Sequence, residues 1–108
     1  MSNLIVQKIN GSEYVLPLGV GQSWYDMTAE RNAGVTYTNT TGRTLVVALT
    51  FSIGSHGKAY AYVDDLLVAS SRIYDGVAGA HQFACSFLVP NGSTYRTTNF
   101  AVFWSELR

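Results

Sequence analysis

At 108 residues the chain has the length of one domain and leaves little room for a second core. Seven Lys and Arg balance seven Asp and Glu, and charged residues make up 13% of the chain, against the usual ~25%, while 47% are hydrophobic. So neutral a surface excludes a duplex nucleic-acid binder, which needs clustered cations, and describes a chain that is either poorly soluble or partly covered by copies of itself.

The longest strictly apolar run, Leu45 to Leu49, falls far short of the ~20 residues a membrane helix requires. The N-terminus lacks the basic start and long apolar region of a signal peptide, so the product is expected to be made and left in a cytosol. One cysteine, Cys85, can form no internal disulfide. Its neighbours Phe83, Phe87 and Val89 mark it as a small buried hydrophobe.

In chain order, residues 1–21 read as a lead-in strand and connector: a turn at Asn10-Gly11-Ser12, a second apolar piece at Tyr14-Val15-Leu16, and a stop at Pro17. Residues 22–108 read as the folded domain. Ser23 to Met27 is strand-like, with Trp24 as the first large anchor, and Thr28 to Arg31 is too short for a stable helix and forms a bend. From Leu45 to Ile53 every second residue is strongly apolar, giving a long strand with one buried face. The segment before it, Val35 to Asn39, alternates as well. Asn39-Thr40-Thr41-Gly42 then supplies turn residues, so the two are expected to form a hairpin. Lys58 to Val63 alternates Ala59, Ala61 and Val63 with Tyr60 and Tyr62, and Asp64-Asp65 joins it to Leu66–Ser71 as a two-residue hairpin loop. A Gly-rich link leads to the strand His81 to Val89. The turn Pro90-Asn91-Gly92-Ser93 follows, and Tyr95–Thr98 with Ala101–Trp104 gives the last pair of strands.

Short strands, regularly spaced between Gly, Asn, Asp and Pro and without an amphipathic helix, describe an all-β, antiparallel, jelly-roll-like sandwich. Its surplus of apolar faces points to a homotrimer. Trp24, Asp26, Met27, Thr28 and Arg31, followed by GVTYTNTTGR from Gly34 to Arg43, resemble the C-terminal tip domains of tail fibres of tailed bacteriophages and prophages. Three later pieces resemble that family too: Tyr62-Val63-Asp64-Asp65 with Val68-Ala69-Ser70, Phe87 to Tyr95, and the ending Trp104 to Arg108. The resemblance covers residues 22–108. It implies a non-enzymatic, trimeric virion domain, assembled in the host bacterium, that contacts a bacterial surface receptor. The alternative is a structural tail component, such as a trimerisation module, cap or plug, that touches only other tail proteins.

The residues themselves suit carbohydrate, because aromatic faces stack on sugar C–H groups while small polar side chains pair with hydroxyls. Tyr60 and Tyr62 either serve that role or pack against a neighbouring strand or subunit, and the same alternatives hold for Tyr37 and Tyr95. Trp24 and Trp104 read as core or interface anchors. Binding residues concentrate on loops held by a rigid scaffold, so the candidates are His56 and Lys58 in one polar loop and Arg72, Tyr74 and Asp75 in another. The alternative for Arg72 and Asp75 is a local salt bridge closing the loop. No catalytic residue is assigned, since no carboxylate pair is set apart from turn chemistry. His56 and His81 lack metal-ligand spacing, and no cofactor is expected.

Overall fold

The alternation of large apolar and small side chains from Leu45 onward decides the centre of the molecule, because a strand of that pattern must press one face against a core. In the computed structural model, which describes residues 6–9, 12–54, 57–73 and 81–108, the strands are β1 (Val6–Ile9), β2 (Ser12–Val15), β3 (Trp24–Asp26), β4 (Tyr37–Thr38) and β5 (Leu45–Ile53). After them come β6 (Lys58–Val63), β7 (Leu66–Arg72), β8 (His81–Val89), β9 (Thr94–Thr97) and β10 (Ala101–Leu107). Leu45, Val47, Leu49, Phe51 and Ile53 are all buried, and they pack with Ala59, Ala61, Val63, Phe87, Val89, Tyr95 and Trp104 in one core.

Two four-stranded antiparallel sheets enclose that core, ordered β3-β10-β5-β8 and β4-β9-β6-β7. The pairs β6·β7, β5·β8, β4·β9 and β3·β10 nest inside one another. The domain is therefore one long hairpin, with its tip between β6 and β7, rolled up into two layers. This is the jelly-roll arrangement, an all-β antiparallel sandwich as the strand pattern predicts.

Three expectations are corrected. Residues 35–53 do not form a hairpin: β4 joins the opposite sheet, with Tyr37 beside Tyr95, while β5 lies between β10 and β8. The reason is Asn39. Its buried Nδ2 donates to the carbonyls of Arg43 (2.6 Å) and Val89 (2.9 Å), and its Oδ1 accepts from Thr41 N (3.1 Å), so the polar run turns a corner between the sheets. Nor do β9 and β10 pair with each other. β9 lies between β4 and β6, while β10 lies between β3 and β5. Trp24, finally, keeps only the interface half of its core-or-interface reading, being 55% exposed, whereas Trp104 is buried in the core. The bend at Thr28–Glu30 is a single 3₁₀ turn. Cys85 is half-buried against the core, and burial pushes its thiol up, which suits an unreactive filler.

β1 and β2 pair with each other and with neither large sheet, and the described residues extend over 61 × 23 × 21 Å. The connector that follows them is fastened to the sandwich by Arg43, whose buried guanidinium donates to the carbonyls of Pro17 (2.8 Å) and Val20. Gln22 adds a bond from its Nε2 to Thr44 O (2.9 Å). The segment just before residue 22 is thus bonded firmly to one end of the roll. No helix among the described residues is long and apolar enough to cross a membrane.

Candidate functional site

Strand direction decides which loops share an end of an antiparallel roll. β5 leaves the end held by the connector and finishes at Ile53, opposite His81, while Lys58 at the start of β6 lies beside Arg72 at the finish of β7. Both candidate loops therefore spring from the end remote from the connector. Gly57 N donates to Gly54 O (2.9 Å), and Ile73 N donates to Gly57 O (3.0 Å), so the stem of the first loop is pinned to that of the second. Only glycine fits at 57, where a Cβ would stand 2.8 Å from Gly54 O. Of the five candidate residues, Lys58 and Arg72 are brought together as cross-strand neighbours. His56, Tyr74 and Asp75 lie outside the described residues.

From that pair a polar and aromatic stripe runs down the outer face of the β4-β9-β6-β7 sheet. Tyr60 and Tyr62 point away from the core, their ring centroids 6.4 Å apart, and the Arg96 guanidinium sits 4.1 Å over the Tyr62 ring. These tyrosines therefore belong to the outer face, and both are half-buried there. Tyr37 and Tyr95 go the other way, into the sandwich. Strand parity carried the tyrosine assignment, whereas nothing local in the sequence announces that Arg96 lands on Tyr62.

A second cluster lies inside. Glu106 is fully buried and accepts from Arg31 Nε (2.9 Å) and Nη2 (3.1 Å), Tyr95 OH (3.0 Å) and Trp104 Nε1 (2.9 Å). Arg31 also stacks 4.6 Å over Tyr37. Burial, then the Glu106 charge, pushes the Tyr95 hydroxyl up to about 12. Burial opposes the charge of Arg31, but its bonds and attraction to Glu106 outweigh that and push the guanidinium further up. A carboxylate with no exposed surface and four donors upon it serves as a lock between β10, β9 and the 3₁₀ turn. Every member of this lock belongs to the segments on which the tail-fibre resemblance rests, and these side chains are engaged with one another inside the sandwich.

Among the described residues no three His, Cys, Asp or Glu side chains gather closely enough to hold a metal ion. Compared with protein-family models, with curated protein sequences and with solved structures, the chain matches none of them.

Proposed function

We propose that this chain is the tip domain of a bacteriophage tail fibre, which attaches to a carbohydrate of the bacterial surface and catalyses no reaction on it. The observation that carries the reading is the polarity of the roll. The connector is bonded to one end through Arg43, and the loops that flank the Lys58 and Arg72 pair rise from the other. A domain presented on a shaft meets its target with the end remote from the shaft, and rigid strands hold loops in place for that contact. The outer stripe of Tyr60, Tyr62 and Arg96 adds ring faces and a guanidinium, groups that pair with sugar C–H faces and with hydroxyls or acidic substituents.

The test is adsorption of the purified protein to candidate host cells, with extracted surface polysaccharide as competitor. Tyr74→Ala and Arg72→Ala are expected to weaken adsorption by at least about tenfold, as removal of a central contact does, with Tyr74→Ala moving stability no more than a surface substitution does, about 0.5 kcal/mol. Adsorption that survives both changes, and His56→Ala as well, would move the function to the structural class. Binding confined to other tail proteins would do the same.

A further inference from the structure

The outer face of the β3-β10-β5-β8 sheet differs from its counterpart in chemistry. The strand registers align Trp24, Leu107, Val46 and Leu88 in one row across all four strands. Phe103 stands on the same face farther along β10. Trp24, Leu88 and Phe103 are 55%, 54% and 64% exposed. Between β5 and β8 the small side chains of Ala48, Thr50, Ala84 and Ser86 leave a shallow groove of about 370 Å³.

Phe103 is placed there by a specific device. Ala101 pairs with Phe51 and Phe103 with Thr50, so Val102 is an extra residue, and this bulge sets Phe103 outward while Trp104 enters the core. Bulges serve to re-aim side chains, and here the outcome is a large ring held in the open beside a hollow.

We infer that a second copy of this chain packs on this face, seating Phe103 and Leu88 against the groove of small side chains. Projection and hollow lie on the same surface, which is what a self-complementary contact requires. The one charge on this face among the described residues is Asp26 at its edge, which already accepts from Thr28 N (3.0 Å) and Thr28 Oγ1 (2.6 Å), so the face meets itself without a field of like charge. The opposite outer face carries Lys58, Tyr60, Tyr62 and Arg96, the last with Asp65 3.7 Å away, and is the more polar of the two. Four strands about 4.8 Å apart and up to about 30 Å long give a footprint on the order of 500 Å² per partner, about 1,000 Å² in total, the lower end of a specific interface. The surface stands independently of the receptor reading: a face that meets itself across a two-fold axis makes a dimer, whereas three copies, as the tail-fibre proposal requires, need the projection of each to enter the hollow of the next around a ring.

Sedimentation equilibrium at micromolar concentration tests this, with circular dichroism as the check on folding. The unaltered protein should sediment as a multiple of the chain mass, and Phe103→Asp or Ala84→Arg should shift it to a single chain with an unchanged spectrum. Tyr60→Ala on the opposite face should leave the assembly intact. A monomeric unaltered protein, variants on this face that keep the assembled mass, or dissociation by Tyr60→Ala would each overturn the inference. A dimer dissociated by Phe103→Asp would uphold the surface while removing the tail-fibre reading.

Discussion

At the scale of single residues, the most consequential side chain is Glu106, because its charge is wholly removed from water and is held by four donated hydrogen bonds, with the Arg108 guanidinium 3.6 Å away. Breaking a buried pair from one side strands the other charge. Glu106→Ala is therefore expected to lower the unfolding free energy by about 3–5 kcal/mol, read from the urea midpoint, leaving Arg31, Tyr95 and Trp104 without their acceptor. A loss below that of an ordinary surface change would mean that Arg31 turns out to solvent at little cost. Tyr95 makes a separate prediction. The folded protein keeps its proton up to about pH 12, whereas the unfolded chain releases it near 10.0. Its contribution is therefore full below the lower value and is lost as the pH rises through the upper one. Stability should fall on the order of 2–3 kcal/mol over that interval, and Tyr95→Phe should lack this part of the decline.

At the scale of elements, the β6·β7 turn is the one tight hairpin loop in the roll, and its two aspartates do different work. Both have positive φ, 51° at Asp64 and 63° at Asp65, the geometry that matches the twist of a two-residue loop. The Asp64 carboxylate accepts from Ser93 Oγ (2.7 Å) and Thr94 N (2.9 Å), tying this turn to the one before β9, and the Ser93 bond leads in holding that carboxyl below its usual range. Asp65 reaches only Arg96, at 3.7 Å, with 88% of its side chain in solvent. An exposed pair of that kind contributes little, while the left-handed backbone strains any residue with a Cβ. Asp65→Gly should accordingly raise stability by roughly 0.5–1 kcal/mol, measured by thermal or urea unfolding, whereas Asp64→Gly should not. A lower midpoint for Asp65→Gly would show that the Arg96 contact outweighs the backbone strain.

At the scale of the whole molecule, the sequence by itself determined that the domain is all-β, which face of β5, β6 and β8 is buried, and where the chain turns at Asp64-Asp65 and Pro90–Ser93. Those features follow from a period of two and from residues that tolerate special backbone angles, both of which are local. Turn chemistry also marked the candidate loops, of which the described residues include only Lys58 and Arg72 among the five candidates. Which strands become neighbours was decided only by tertiary structure. Alternation tells a strand to bury one side but not against which partner, so β4 and β5 read as a hairpin although Asn39 sends them into different sheets. The Glu106 lock was hidden for the same reason, since Arg31 is 75 residues from its carboxylate. Phe103 shows the limit most plainly: one extra residue at Val102 sets its face, and a bulge exists only in the register between two strands.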